Sequence, residues 1–206
     1  RGADGGNRVS SAVQLAPDAD PAEAEAGMRA WGQRPLFQIL PGQAELDADL
    51  AARGYALQDS TLMLAAPSAA IAATAPDEAA IPCDGPLASA AEVWSAGGIG
   101  AGRLAVMARA PSPKVWLLGR LRDQAAGAGF VAIADGVAML HALEVLEIAR
   151  GKRLGERMTR AAAAWAVRQG AETFALAVTE RNASARALYG RLGLAEVARY
   201  HYRLSP

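Results

Sequence analysis

One stretch decides the fold of this chain: Val145-Leu146-Glu147-Ile148-Ala149-Arg150-Gly151-Lys152-Arg153-Leu154-Gly155-Glu156. Its pattern predicts that a strand ends and that a basic, glycine-containing turn then opens a helix. The first turn of a helix leaves backbone N–H groups unpaired and carries partial positive charge. The glycines allow close approach to the backbone, and the basic side chains add full charges. The stretch therefore predicts a pyrophosphate site, although it also suits an ordinary strand–helix turn with solvated charges.

The segments that follow continue the alternation of helix and strand. Residues 154–169 have helical periodicity and stop at Gly170, and residues 173–178 are typical of a buried strand. Asn182 is suited to cap a helix that ends at Leu192, with Gly193 as its C-terminal stop. A last strand is predicted over residues 194–204.

Upstream, the patterns are shorter. Strands are predicted over residues 8–15, 36–40, 55–64, 114–121 and 129–134, and Asp135-Gly136 predicts a hairpin turn into a strand over residues 137–146. Asp20-Pro21 is typical of a helix start. A second helix is predicted over residues 45–53 and a third over residues 89–110, interrupted at residues 97–100.

Two of these segments resemble the signature of the GCN5-related N-acetyltransferase (GNAT) superfamily. The family's phosphate turn reads Arg/Gln-x-x-Gly-x-Gly/Ala, and this chain has Arg150-Gly-Lys-Arg-Leu-Gly155. The family's motif Asn-x-x-Ala-x-x-Leu-Tyr-x-x-x-Gly-Phe is similar to Asn182–Leu194. The strong match covers about residues 137–203. Arg153 departs from the family glycine, and it would cost on the order of 1 kcal/mol if the turn needs a positive φ.

The resemblance implies an α/β (α+β) fold, with helices flanking a mixed, mostly antiparallel central sheet. The order strand–helix–Gly–strand occurs at residues 37–64 and again at residues 174–204. This order is common, so duplication and chance similarity are both open. We expect a degenerate N-terminal GNAT-like lobe (1–66), a proline-containing linker (67–88) and an acetyltransferase domain (89–206).

The same resemblance implies acetyl-CoA as co-substrate. The helix start would cradle the pyrophosphate, and the edge of the strand before it would pair with the pantetheine arm. A backbone N–H, that of Val145, would polarise the thioester carbonyl. The cofactor-binding residues expected on this basis are Leu143, Val145, Arg150, Gly151, Arg153, Leu154, Gly155, Glu156 and Asn182.

Three side chains are candidates for proton transfer. The resemblance places the Tyr189 hydroxyl near the thioester sulfur, where a phenol of ordinary pKa could protonate the leaving thiolate. His141 is the first candidate for the general base, and period-two alternation would put it on one face with Leu143 and Val145. Glu144, expected on the opposite face, is the second candidate. Each of the three also suits a purely structural role.

Composition narrows the function classes further. The chain has 21 Lys+Arg and 21 Asp+Glu, which gives no basic excess of the kind that nucleic acid attracts. One cysteine excludes a Cys-rich zinc site, and no metal is expected. No apolar stretch reaches the length of a membrane span. We expect a bacterial, cytoplasmic transferase that contacts neither nucleic acid nor membrane, as a monomer or a homodimer.

The leading hypothesis is an acetyl-CoA-dependent N-acetyltransferase that moves the acetyl group directly to an amine of a small molecule or peptide. The alternative is a non-catalytic acyl-CoA-binding domain, a sensor or pseudo-enzyme. It is motivated by Arg153 and by Met139, which stands where the family commonly has an acid. A third reading is an interaction domain that kept the fold and lost the cofactor. The acceptor cannot be read from the sequence.

Overall fold

The computed structural model describes residues 5–75 and 77–206. In the first part of the chain the elements are α1 (Asn7–Ser10), α2 (Pro21–Ala30), β1 (Leu36–Ile39), α3 (Ala44–Ala52), β2 (Ala56–Pro67), α4 (Ser68–Ile71) and β3 (Ala80–Cys83). They continue with α5 (Ala88–Ala96), α6 (Ala101–Arg109), β4 (Lys114–Leu121), β5 (Gln124–Ala134) and β6 (Val137–Val145). After a short 3-10 turn (Glu147–Ala149) come α7 (Leu154–Arg168), β7 (Thr173–Thr179), α8 (Ala183–Arg191) and β8 (Ala195–Leu204).

The strands of the described residues form a single eight-stranded sheet in the order β1-β8-β2-β7-β6-β5-β4-β3. Neighbouring strands are antiparallel except β6 and β7, which are parallel. The predicted α/β class with a mixed, mostly antiparallel sheet is therefore confirmed.

Helices cover both faces of the sheet, and each face has its own core. On one face α7 buries Met158 against β4 and β5. A Cβ atom at Gly119 or Gly127 would lie 2.4 or 2.5 Å from the Met158 sulfur, so a side chain at either position would force Met158 out of its place in the core. On the other face Trp94 of α5 packs edge-on against Trp116, with ring centroids 5.5 Å apart.

The two parallel strands separate part-way along their length. Residues 137–140 of β6 pair with residues 173–176 of β7, and no further pairs join these strands in the described chain. Beyond that point β6 continues along β5, and β7 continues along β2. A gap therefore opens in the middle of the sheet, beside the C-terminal half of β6.

A β-bulge lies in that half of β6. Ala142 has a positive φ of 50°, and the pairing register shifts there, so that Phe130 faces His141 but Ala128 faces Glu144. The bulge breaks the alternation of side chains. Glu144 consequently lies on the α5 face with His141, whereas Leu143 packs in the core under α7. The expectation that His141 shares a face with Leu143 and Val145, opposite Glu144, was wrong for this reason.

The N-terminal strands belong to the same sheet. β1 pairs with β8, and β2 lies between β8 and β7. The predicted start of α2 is confirmed, because the Asp20 carboxylate accepts a hydrogen bond from the Ala22 N–H over 2.9 Å.

One upstream prediction was wrong in detail. Residues 8–15 were predicted as a strand, but they begin in α1 and then make one bridge, between Ala12 and Phe37. Side-chain contacts of Asn7 and Arg8 with distant residues override the local alternation. Regular structure also occurs inside the segment interpreted as a linker, since α4 buries Ile71 beside α7 and β3 pairs with β4.

Candidate active site

The predicted phosphate turn leads directly into α7, the longest helix of the described chain. No side chain caps its N-terminus. The N–H groups of Leu154, Gly155 and Glu156 occupy the first helical turn, where they have no carbonyl acceptor within the helix. A fifteen-residue helix also directs its positive dipole end to this point. The turn is therefore suited to bind an anion.

Arg153 adopts the left-handed conformation at the start of this helix, with φ 62° and ψ 10°. This is the conformation that glycine adopts without strain. Its guanidinium turns away along the helix and donates to Glu156 over 3.1 and 3.0 Å. That contact, with a second from Arg160, lowers the pKa of the Glu156 carboxyl. The side chain at this position thus leaves the turn open.

A cavity of about 670 Å³ lies beside the turn, between the open edge of β6 and helix α8. It brings together every residue that the sequence predicted for the cofactor, and two of the three proton-transfer candidates. The lining includes Leu143, Glu144, Val145, Arg150, Gly151, Arg153, Leu154, Gly155, Glu156, Asn182 and Tyr189. Sequence reasoning missed its α8 wall, which adds Ser184, Ala185, Ala187, Leu188 and Arg191.

Tyr189 lies on α8 and is 7% exposed. Burial raises the pKa of its hydroxyl to about 12. The group therefore stays protonated at neutral pH, but it is a weaker acid than its ordinary value suggests. The sequence alone predicts the ordinary pKa of a phenol, because burial cannot be read from it.

Asn182 caps α8 as predicted. Its Oδ1 accepts from the Ala185 N–H over 3.1 Å and from the Ser184 hydroxyl over 3.1 Å. The cap fixes the start of α8 at the rim of the cavity, so Asn182 positions that wall whether or not it also touches a ligand.

Glu144 occupies the gap between β6 and the end of α5. One of its carboxylate oxygens lies 3.6 Å from the Arg150 guanidinium, which also donates to the Val145 carbonyl over 3.2 Å. A Cβ atom on Gly97 would lie 2.5 Å from Cδ of Glu144. The glycine at the end of α5 therefore makes room for this carboxylate.

His141 lies in a different cavity, of about 330 Å³, on the α5–α6 face of the sheet. The Arg8 guanidinium lies 3.2 Å from its Nδ1 atom. Burial, with the charges of Arg8 and Arg103, lowers the pKa of His141 to about 4. Because arginine only donates hydrogen bonds, Nδ1 is the acceptor and Nε2 carries the proton of the neutral ring. The hydrogen bond from Arg8 thus occupies the lone pair of Nδ1, which a general base would use to accept a proton.

Sequence reasoning missed most of the second cavity, which is also lined by Arg8, Arg103, Asp59 and Tyr200. One sequence pattern could have indicated this cavity: alternation along the last strand places Tyr200 and Tyr202 on one face, opposite His201. His201 instead contacts Asp47 over 2.7 Å on the other side of the sheet.

The geometry agrees with a comparison to known proteins. Residues 88–194 match the model of the Acetyltransferase (GNAT) family. The chain belongs to this family. Over 99 residues it is 31% identical to an N-acetyltransferase of Bacillus subtilis (strain 168) named YobR and described as uncharacterised. That match covers 48% of this chain and 40% of the relative, so the chain spans well under half of the relative's length.

Solved structures of GNAT proteins share the fold. A GCN5-related N-acetyltransferase from Kribbella flavida has a TM-score of 0.65 at 22% identity, covering 94% of this chain and 80% of its own. A tandem GNAT protein from the clavulanic acid biosynthesis pathway also has a TM-score of 0.65, at 14% identity, covering 89% of this chain and 67% of its own. GNAT enzymes use acetyl-CoA as co-substrate.

None of the helices in the described residues combines the length and the apolar character needed to cross a bilayer. Among the same residues, no three His, Cys, Asp or Glu side chains are grouped so that they could hold a metal ion.

Proposed function

We propose that this chain transfers the acetyl group of acetyl-CoA directly to an amine. The amine nitrogen attacks the thioester carbonyl carbon, the C–S bond breaks, and CoA leaves as a thiolate that takes up a proton. The ammonium formed on the acceptor loses one proton to a base, so the products are an amide and free CoA thiol. Binding two substrates side by side supplies much of the rate enhancement in such a reaction.

The uncapped N-terminus of α7 is the observation that carries this proposal. What sets this helix start apart is its surroundings: Leu154, Gly155 and Glu156, whose N–H groups form the uncapped first turn, line a cavity. The cavity continues from that turn to the gap where β6 and β7 separate. A pyrophosphate at the turn would place an extended pantetheine arm along the open edge of β6.

The proposed roles of the individual groups follow from this placement. The N–H groups of Leu154, Gly155 and Glu156 bind the pyrophosphate, and Gly151 keeps the turn open. The backbone of Leu143 and Val145 pairs with the arm, and the Val145 N–H polarises the thioester carbonyl. Tyr189 protonates the leaving sulfur.

We assign the role of proton acceptor to Glu144 rather than to His141. Glu144 lines the cofactor cavity, whereas the lone pair of His141 is occupied by Arg8. A carboxylate that is 21% exposed can receive the proton through a water molecule.

Calorimetric titration of the purified chain with acetyl-CoA tests the proposal. We expect micromolar binding, and then release of free thiol when amines are added. Binding without turnover on any amine would instead favour the non-catalytic acyl-CoA-binding alternative. If the chain fails to bind and Arg153→Gly restores binding, the natural cofactor site has decayed.

We also propose that residues 1–66 derive from a degenerate GNAT half, as in a tandem GNAT protein. Adding 139 to the residue number maps α3 onto α8 and Gly54 onto Gly193, both of which have positive φ. The same offset maps the register of β1 with β8 onto that of β2 with β7. For example, Leu36 pairs with Leu204, and the counterpart residues Ala65 and Ala175 also pair. Chance similarity would not be expected to preserve a pairing register.

Two differences support the view that only one half keeps a cofactor site. The offset maps Pro21, the first residue of α2, onto Arg160 inside α7, so α2 lacks a counterpart of the turn that starts α7, and its own start is capped by the carboxylate of Asp20. The position of Tyr189 is taken by Leu50, which is fully buried. We therefore propose that residues 1–66, 67–88 and 89–206 are separate units in their evolutionary origin. In the folded chain their strands share one sheet.

A further inference from the structure

The second cavity is lined by positive charge in a chain with no net charge. Two arginines, Arg8 and Arg103, line it together with His141. Neither arginine forms an ion pair with a carboxylate among the described residues. Arg8 contacts the Tyr200 hydroxyl at 3.1 Å and the His141 ring at 3.2 Å, both uncharged partners.

Among the described residues, one acidic side chain, Asp59, lines the cavity, and it does not neutralise Arg8 and Arg103. Asp59 is paired with Arg181 over 3.0 Å and accepts from the Asn7 amide over 3.1 Å. Its charge is therefore already balanced by a third arginine outside the cavity lining. The charge of Arg8 and Arg103 remains available to a ligand.

Arg103 is held where it cannot be freely solvated. It is only partly exposed, and burial together with the charge of Arg8 lowers the pKa of its guanidinium. A Cβ atom on Gly6 would lie 3.1 Å from a terminal nitrogen of this group, so the backbone packs closely on it. Arg8 itself is exposed, but holding the partly buried Arg103 beside a second positive charge is unfavourable, and a bound anion would offset that cost.

The neutral groups of the cavity add donors of the same kind. The contact with Arg8 fixes the His141 tautomer, so its Nε2–H is a donor. Arginine can present two parallel N–H groups to a carboxylate, which adds orientation to the charge attraction. The set of donors is suited to a planar anion.

The cavity also adjoins the gap in the sheet. Its lining includes His141 on β6 and Ala177 and Thr179 on β7, beyond the last paired residues of the two strands. It therefore lies across the sheet from the cofactor cavity, where an acceptor would approach the thioester. Its volume of about 330 Å³ is at the small end of ligand sites.

We propose that this cavity binds the acceptor, and that the acceptor is a small amine bearing a carboxylate, such as an amino acid. The inference rests on the proposed acetyl transfer and adds the substrate class to it. Arg8 and Arg103 bind the carboxylate, and the amine is thereby directed to the gap. The same charges disfavour polycationic acceptors.

Matched ligands test the carboxylate directly. Leucine, leucinamide and 3-methylbutylamine share a side chain but differ in that group, as do phenylalanine, phenylalaninamide and phenethylamine. Each is titrated calorimetrically into the full chain, with and without saturating CoA, and each is assayed with acetyl-CoA for thiol release. The variants are Arg103→Met and, as the matched control, Arg109→Met, because Arg109 is exposed on the same helix.

We expect at least one amino acid to bind tenfold or more tightly than its amide and its decarboxylated amine. Arg103→Met should abolish that preference, and Arg109→Met should retain it. Equal or weaker binding of the acids throughout, or a preference that survives Arg103→Met, would overturn the inference. If acetyl-CoA binds and the amides are acetylated without any preference for the acids, the proposed acetyl transfer stands and the carboxylate inference is overturned. If the chain prefers the acids but binds no acetyl-CoA, the proposed acetyl transfer is overturned and the carboxylate-binding cavity stands.

Discussion

The guanidinium of Arg8 donates to Nδ1 of His141 over 3.2 Å, and this contact joins the N-terminal segment to the central strand β6. It turns a residue that resembled a general base into a neutral donor. We therefore propose Glu144 as the proton acceptor, which the bulge at Ala142 brings to the same face.

The state of His141 predicts a pH dependence of stability. Its pKa is lowered from the ordinary value of 6.5 to about 4 in the folded chain, so unfolding takes up a proton between these values. The free energy of unfolding should fall as the pH decreases from 6.5 to 4, by at most about 1.4 kcal/mol per pH unit from this group. Urea unfolding of wild type and His141→Gln measures the difference. Parallel pH profiles for the two proteins would contradict the assignment.

Glu144→Gln tests the assignment of the base. The variant removes a proton acceptor and keeps the shape of the side chain, so kcat should fall tenfold or more. The affinity for acetyl-CoA should change little, because no cofactor group is proposed to contact the carboxylate. His141→Gln should lower activity uniformly across pH 6–9, since the ring is neutral throughout. If His141→Gln lowers kcat tenfold or more while Glu144→Gln keeps the wild-type kcat, the base role returns to the histidine.

Tyr189→Phe should lower turnover tenfold or more with little effect on cofactor affinity. The hydroxyl has no hydrogen-bond partner among the described residues, so its removal should leave the midpoint of thermal unfolding within a degree or two. Stopped-flow detection of thiol release and calorimetry with acetyl-CoA separate the two effects. Unchanged turnover would remove the general-acid role.

Arg153→Gly should raise the midpoint of thermal unfolding by about 2–4 °C, because glycine adopts the observed φ of 62° without strain. The exposed contact with Glu156 that is lost contributes little. Lys152→Gly is the control, since its φ is not positive and added flexibility should lower the midpoint. A lower midpoint for Arg153→Gly would show that the turn depends on the Arg153 side chain.

Leu50→Ala tests how firmly the N-terminal segment is joined to the rest. The side chain is fully buried, and its truncation should cost about 2–5 kcal/mol. Because β2 lies between β7 and β8, tryptophan fluorescence and acetyl-CoA binding should be lost in one transition. Two separate transitions would indicate that residues 1–66 unfold independently.

The local parts of the fold were predictable because local chemistry determines them. The caps at Asp20 and Asn182, the turn at Asp135-Gly136 and the stop at Gly193 each follow from side chains acting on their own backbone. The residues predicted to bind the cofactor line one cavity because all of them except Asn182 lie on one turn and on the strand and helix next to it.

The non-local parts were not predictable. Alanine does not signal a bulge, so Ala142 gave no warning that His141 and Glu144 would share a face. The position of β2 in the sheet depends on pairing with strands more than a hundred residues away. The second cavity is built from Arg8, Arg103 and Tyr200, which only the completed sheet and its helices bring together.

The insertion of β2 between β7 and β8 has a practical consequence for dividing this chain. The family match begins at residue 88, but a fragment cut there would lose the strand that β7 and β8 share. In the fragment, the edges of β7 and β8 that pair with β2 would present unpaired backbone N–H and C=O groups. Such unpaired edges can pair with an extended segment from a neighbouring molecule, so the fragment is expected to aggregate by strand exchange. The segment before residue 88 thus supplies the strand that satisfies the facing edges of β7 and β8.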